Sequence, residues 1–596
     1  MAESMRGLKR THYCGEVSVR DIGSEIVVGG FTQKQRDKGE LVFIDLRDRT
    51  GIVQLIFDDS TDRAVIEKAK DVRSEYVLMA RGTVRRRESV NPDLPTGEVE
   101  IFVTELRILA KAQTPPFHIT DETDTNEELR LRYRYLDLRR ASLQKNLMLR
   151  AKITKAARDY FADNGFIEID TPMLMKSTPE GARDYVVPSR VHNGSFYALP
   201  QSPQIYKQLL MISGFDRYIQ FARCFRDEDL RADRQPEFTQ IDLEMSFVDT
   251  EDVMEMGEGF VRYIMKTVMD VDIAEPLPRL TYKDAMERFG SDKPDIRYGM
   301  EICDLSALVK DCGFSVFSGA VAAGGSVRGI VIKNGAGTYT RKEIDKLTEQ
   351  AKGIGAKGLA WVRWVEDKPA CSFAKFFSEE ELTVLLQKLG CEKGDVALII
   401  ADKDRVTLPV LGALRQTCAK RMGIIPEGYA FLWITEFPFF EWDEESESWV
   451  AMHHPFTMPL DECLPYLDSD PGAVRAKAYD LVLNGIELSS GSIRITDYEL
   501  QQKMFQALGL TEEEIAAKFG FLVDAYKFGA PPHGGMGIGL DRLSMLLCGA
   551  DNIRDVTAFP KVQNASELMS GCPSPIDAKQ LEELGIAVSL PQGNKS

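Results

Sequence analysis

The sequence predicts a multidomain α+β protein: an N-terminal OB-type β-barrel, a second domain in two pieces, and an α+β domain inserted between those pieces. Three observations predict this. The chain has 596 residues, too many for one hydrophobic core. Residues 1–110 are a succession of short β-rich runs. Residues 290–425 differ in texture from both flanks, with glycine-punctuated strands alternating with helices.

In residues 1–110 the runs EIVVGGF, LVFIDLRD, GIVQLIF, YVLMARGTV and EVEIFVTELRIL read as strands separated by Gly, Asp and Pro turns. One helix candidate, Asp62 to Lys70, interrupts them. Such a pattern suggests an OB barrel, a fold that often binds single-stranded nucleic acid on its sheet face. Residues 111–140 read as a linker or hinge, because Pro115-Pro116 breaks regular structure and the acidic stretch after it is solvated. Residues 141–289 open with a long amphipathic helix, Ser142 to Asn164, stopped by Gly165. VAAGGSVRGIVI, GIGAKGLAWVRW and DVALIIADK mark 290–425 as an insertion, since the interrupted pattern resumes at FLWITEFPFFEW within residues 426–596.

Composition is that of an ordinary globular protein, 44% apolar and 28% charged, which excludes disordered and fibrous classes. No apolar run reaches the roughly 18 residues of a membrane span, and the N-terminus MAESMRGLKRTHYCG has no apolar signal core, so a cytoplasmic location without membrane contact is expected. The 10 cysteines form no CxxC pairs, which points to a reducing compartment and away from structural zinc. The net charge of −18 is unevenly spread: residues 1–110 hold 18 Lys+Arg against 19 Asp+Glu. A locally positive face on an acidic protein is compatible with a nucleic-acid partner, and the charge alone neither requires nor excludes one.

The chemistry lies in three separated segments: NGFIEIDTPML (Asn164–Leu174), FRDEDLRADRQPEFTQID (Phe225–Asp242) and GIGLDR (Gly537–Arg542). The middle one packs arginines among acids in a way suited to a polyanion, because guanidinium groups stay charged and fork onto phosphate oxygens in pairs. In this order the segments resemble motifs 1, 2 and 3 of the class II aminoacyl-tRNA synthetases. With the residues below they resemble the bacterial-type aspartyl-tRNA synthetases in particular, over nearly the whole chain.

The resemblance implies an ATP-dependent ligase with an antiparallel-sheet catalytic domain in 141–289 and 426–596. It would activate L-aspartate as aspartyl-adenylate, charge tRNA-Asp, and dimerise through motif 1. Activation joins two anions, so it needs fixed cations near the α-phosphate and metal ligands on the pyrophosphate side. The resemblance assigns Arg226 to both substrates, and Asp227, Glu228, Gln235, Gly539, Leu540, Asp541 and Arg542 to ATP. Asp480 and Glu487 would hold Mg²⁺, with Glu487 also on ATP.

An aspartate side chain calls for cations where a lysine substrate would call for carboxylates. Arg494, Lys207 and His453, the last able to act as a protonated donor, answer that need. Glu180, Ser202, Gln204 and Asp242 complete the expected aspartate site. In the barrel the resemblance implies Phe43 as a stacking platform, Gln54 and Glu100 as readers of base edges, and Arg36 as a contact to backbone or base. Lys38 stands where relatives that charge only tRNA-Asp have leucine and those that also charge tRNA-Asn have histidine. The turn around Ser89 is equally non-committal, so both tRNA specificities stay open here.

Overall fold

The structure is a computed structural model that describes residues 2–178, 181–443 and 447–589. Strands β1 (Glu25–Asp37), β2 (Val42–Asp48), β3 (Gly51–Phe57), β4 (Val77–Arg86) and β5 (Val99–Ala110) form a closed barrel in the order β1-β2-β3-β5-β4. Alternate side chains fill it: Val28, Ile44, Leu46, Val53, Leu55, Leu78, Ile101 and Val103 are all fully buried. Helix α1 (Arg63–Lys70) follows β3, with the Asp62 carboxylate accepting the Ala64 N–H as its cap. The β-rich reading of residues 1–110 is therefore an OB-type barrel.

The chain divides into two compact units. One comprises Met1–Ala151, Leu230–Gln235 and Ser544–Ile576; the other comprises Lys152–Asp229, Pro236–Leu543 and Asp577–Ser596. In the first unit, the stretch expected as a linker contains a short helix, Glu127–Arg132, and is firmly anchored. Arg134 is only 3% exposed, and its guanidinium donates to the carbonyls of Arg554, Thr557 and Ala558 and to the Asp137 carboxylate. A buried guanidinium is tolerated only when its donors are satisfied in this way.

Helix α2 (Ala141–Asp163) lies within one residue of its expected bounds at both ends. The second unit then builds β6 (Ile167–Glu168), helix α3 (Gln204–Ile212), β7 (Arg217–Phe225), β8 (Glu237–Ser246), β9 (Arg279–Thr281) and helix α4 (Tyr282–Phe289). The insertion follows, with β10 (Cys303–Asp304), α5 (Ser315–Ala322), β11 (Ser326–Ile332), β12 (Ala360–Arg363), β13 (Ala370–Cys371), β14 (Val396–Asp402) and α6 (Asp404–Met422). Its sheet runs β10-β11-β14-β12-β13, and apolar clusters cover both faces.

The chain returns with β15 (Phe431–Thr435), β16 (Ala478–Leu483), β17 (Ile486–Ile493), β18 (His533–Gly539) and helix α7 (Leu540–Cys548). These join the earlier strands in an 8-stranded sheet, β9-β15-β16-β17-β18-β8-β7-β6. It is antiparallel except where β9 meets β15 and β6 meets β7. At the root of the insertion, α4 and α6 touch backbone to backbone: a Cβ on Gly412 would lie 2.4 Å from the Gly290 carbonyl oxygen. Gly290 itself closes α4 with a φ of 67°.

Candidate active site

The register of the large sheet assembles a polar face from residues far apart in sequence. Directly paired residues of adjacent strands point to the same face. One row reads Gln220–Asp242–Gly537–Ser490–Asp480 across five strands. The next reads Tyr218–Glu244–Gly535–Ser492–Ala478. Alternation along β8 thus puts both acids of QIDLEMS on one face, and the glycines of β18 keep the middle of that face free of side chains.

Around these rows sits a buried, charge-balanced cluster. The Lys207 ammonium, brought in by α3, lies 3.0 Å from Asp242 Oδ1 and 3.3 Å from Glu244 Oε2. Arg494 forks onto Glu244, with Nε donating to Oε1 at 2.8 Å and Nη2 donating to Oε2 at 3.0 Å. Its Nη1 donates to the Ser492 hydroxyl and lies 2.7 Å from His454 Nε2. Arg494 is 3% exposed and Glu244 is 0% exposed. Burial raises both carboxyls. In Glu244 the Arg494 and Lys207 charges overcome it and hold the group at about 2, whereas Asp242 is left raised at about 6. Glu244 and His454 were not among the expected site residues; the period-two acid pair in QIDLEMS was the available signal for Glu244.

The glycine of β18 facing this cluster serves the protein rather than a nucleotide. A Cβ on Gly535 would stand 2.2 Å from Glu244 Oε2 and 2.0 Å from the Leu243 carbonyl oxygen. Only glycine lets the Glu244 carboxylate lie across β18.

His453 departs from the expected protonated donor. Burial lowers its pKa to about 4, against which Asp292 pulls only weakly, so the ring is neutral at neutral pH. Its ring packs edge-on against Phe437 at 4.9 Å, and its Nε2 has no hydrogen-bond partner. Between pH 6.5 and pH 4 the unfolded chain takes up a proton that the native ring refuses, so this group's contribution to stability falls as pH falls. The stability of His453→Gln relative to the parent should therefore rise by up to about 3 kcal/mol from pH 6.5 to pH 4. Thermal melts across that range check this; a constant gap would contradict it.

Toward the other end of the strands are the nucleotide-side candidates. Arg226 is half-buried just after β7, its guanidinium 5.1 Å from the centre of the Phe238 ring. Asp227 receives Arg183, at 3.5 Å between Nε and Oδ2. Arg542 Nη1 donates to the Glu487 carbonyl at 2.9 Å and lies 3.9 Å from its carboxylate. Lys293, not expected from the sequence, approaches the same carboxylate at 3.9 Å. Asp541 is 3% exposed, and its carboxylate accepts the Thr239 N–H at 2.7 Å, tying α7 to β8. Leu540 is likewise buried.

Gln235 belongs to the other compact unit, where its amide is paired with the Lys561 backbone at 2.7 and 3.0 Å. Glu228 is half-buried. Ser202 accepts the Gln204 N–H at 3.3 Å, and the Gln204 Nε2 is buried without a partner. Glu180 lies outside the described residues.

Asp480 and Glu487 suit a hard cation that shares its shell with phosphates. Asp480 is 6% exposed with an unpartnered Oδ1, and burial together with the Glu487 charge pushes its pKa well up. Among the described residues no group of three or more His, Cys, Asp or Glu side chains is arranged to hold a metal. Mg²⁺ typically takes one or two carboxylates, with substrate phosphates and water completing its shell, so this two-acid set fits it.

In the barrel, a further register row reads Asp45–Gln54–Glu100–Arg85. Gln54 Nε2 donates to Glu100 at 2.7 Å, and Gln54 Oε1 accepts from Arg36 and Arg87, each at 3.0 Å. Any base these residues read must exchange for those partners. Phe43 carries Arg36 at 5.7 Å and Lys38 at 6.0 Å from its ring centre, and Ser89 is exposed in a bend.

This fold and these motifs define a class. The chain belongs to the class II tRNA synthetases of the D, K and N group, whose family model matches residues 126–563, while residues 15–109 match the OB-fold nucleic acid binding domain. Among curated relatives it is 57% identical over 593 residues to an "Aspartate--tRNA(Asp/Asn) ligase" of Caldanaerobacter subterraneus subsp. tengcongensis, covering 99% of this chain and 100% of that protein. It is 58% identical over 593 residues to an "Aspartate--tRNA ligase" of Ruminiclostridium cellulolyticum, with the same shares covered. Among solved structures it resembles asparaginyl-tRNA synthetase from Pyrococcus horikoshii complexed with asparaginyl-adenylate, with a TM-score of 0.59, 20% identity, and 93% of this chain and 98% of that one covered. Aspartyl tRNA synthetase from Entamoeba histolytica gives a TM-score of 0.58 at 20% identity, covering 93% and 92%. No helix of the described residues is long and apolar enough to cross a membrane.

Proposed function

We propose that this chain is an aspartate–tRNA ligase. It joins the carboxylate of L-aspartate to the α-phosphorus of ATP, releasing pyrophosphate, and then passes the aspartyl group to the 3′ end of tRNA-Asp. One observation carries the choice of amino acid: Lys207 and Arg494 are buried together on the sheet face, and the Arg494 Nη1, left over from the fork onto Glu244, can donate to a side-chain carboxylate but not to the ammonium of a lysine substrate. Asparagine, nearly isosteric with aspartate, would bring no charge to them. Sites built around a polar partner reject analogues lacking it by roughly 10⁴-fold.

In this reading Arg494 and Lys207 receive the side-chain carboxylate, and His453 adds a neutral hydrogen bond. Asp242 and Gln204, with Glu180 and Ser202, hold the ammonium end. Arg226 bridges the amino-acid carboxylate and the α-phosphate, while Arg542, Glu228 and Glu487 hold ATP. Gly539 lies beside Arg542, where an added Cβ would come 3.7 Å from the Arg542 Cβ. Asp541 acts indirectly by fixing α7. Asp480 and Glu487 would hold Mg²⁺, which when bound neutralises phosphate charge.

The enzyme acts in the cytoplasm as a homodimer, and exposed Ile167, Met173 and Leu174 in the motif 1 region are consistent with a covered surface there. The barrel takes the anticodon. Phe43→Ala should weaken kcat/KM for tRNA by about 10- to 100-fold, since base–aromatic stacking is worth roughly 1–3 kcal/mol, while leaving pyrophosphate exchange unchanged. A second reading, in which tRNA-Asn is also aspartylated, draws on the relative named as an "Aspartate--tRNA(Asp/Asn) ligase", since Lys38 matches neither specificity pattern. Radiolabelled aspartate charging of tRNA-Asp and tRNA-Asn side by side tests both: no charging of tRNA-Asp refutes the main proposal, and charging of both favours the second.

A further inference from the structure

The inserted domain contains a cavity of about 610 Å³ that the ligase reading does not use. Phe317 and Ala320 of α5 wall one side; Ala360 of β12 and Ile399 and Ala401 of β14 wall the other. It is a cleft open to solvent, with exposed Val316, Gly319, Ala323 and Ser372 in its lining, and not a sealed packing void. It falls within the roughly 300–1,000 Å³ range of small-molecule sites.

The accessible part of the walls is apolar, formed by Val316, Ala320, Ala323, Leu359 and Ala360, while Phe317 and Ile399 are fully buried in the core of the insertion. The one hydroxyl lining them, on Ser372, is engaged with the Trp361 backbone. Polar character is confined to the rim, where Lys357, Asp402 and Lys403 meet. Asp402 accepts the Lys403 N–H at 2.9 Å and pairs with the Lys357 ammonium at 3.3 Å. That pair is solvent-exposed on the lysine side and therefore weak and exchangeable. Two ammonium groups against one carboxylate leave the mouth with an uncompensated positive charge.

We propose that this cavity binds a free medium-chain carboxylic acid, its tail along the apolar groove between α5 and residues 357–360 and its carboxylate at Lys357 and Lys403. The walls offer a polar metabolite no hydrogen bonds, and the rim repels a cationic amphiphile. The site is separate from the aminoacylation chemistry and does not depend on it.

Calorimetric titration of the full chain with octanoate, decanoate and dodecanoate tests the proposal, with dodecylamine as the cationic control. Saturable one-to-one binding is expected, tightening about fourfold per added methylene, with no comparable binding of the amine. Ala401→Phe, which fills the floor, and the double reversal Lys357→Glu/Lys403→Glu should each weaken decanoate binding at least tenfold. Absence of saturable binding, equal affinity for the amine, or undiminished binding by the charge-reversed variant would overturn the proposal. Both lysines are exposed, so the reversal decides the matter even if Ala401→Phe fails to fold.

Discussion

Aspartate-dependent pyrophosphate exchange should fall by roughly a thousandfold or more when Arg494 is replaced by leucine. Two losses combine. The substrate carboxylate loses its forked partner, and Glu244, 0% exposed, loses the guanidinium that binds both its oxygens. Breaking a buried pair from one side costs about 3–5 kcal/mol because a charge is left behind. The variant should therefore be both inactive and unstable, and a second substitution separates the effects. Adding Glu244→Gln removes the stranded charge, so denaturant unfolding should recover much of the stability while exchange stays lost. Arg494→Lys should rescue little, since an ammonium cannot fork onto two oxygens. Arg494→Leu retaining exchange within tenfold would remove Arg494 from the aspartate site.

Asp480→Asn should act in opposite directions on stability and activity. Its carboxyl is raised well above the ordinary range by burial and then by Glu487. The native state thus holds the carboxyl proton more tightly than the unfolded chain does, so ionising the group works against folding. Asparagine removes that penalty, so the melting temperature without ATP and Mg²⁺ should rise. Exchange should fall by about a hundred- to a thousandfold, the usual effect of deleting one electrostatic element of a preorganised site. Adding ATP with Mg²⁺ should stabilise the parent, since ligands that bind only the native state raise its stability, and should stabilise the variant far less. A variant that melts lower than the parent would contradict this account. The pattern is one in which a functional group is retained at the expense of the fold.

What could be read in advance follows the range of the interactions. The barrel and α2 were legible because strand alternation and helix stops are local signals. Arg226 and Arg542 could be proposed from the sequence because each sits in a contiguous motif, and Asp480 and Glu487 because they share the single stretch AYDLVLNGIELSSGSIRI. Glu244 was not: its partner Arg494 is 250 residues away, and only the sheet register brings them together. His454 was passed over for its neighbour His453, although it is His454 that meets Arg494. The stretch 111–140 looked like a linker because Arg134 binds carbonyls more than 400 residues downstream. The strand order of the insertion, with β14 lodged between β11 and β12, likewise depends on pairings that no local pattern announces.

The bare glycine crossing of α4 and α6 has a mechanical consequence. At the Gly290–Gly412 contact no side chain separates the two elements, so even a methyl group at Gly412 would force them apart, and beside it the Arg415 guanidinium of α6 stacks over the Phe289 ring of α4 at 4.9 Å. The insertion is thus soldered to the body that carries the arginines, as a lever arm rather than a pendulum. A push on its far end is transmitted to the root instead of being absorbed by a swivel there.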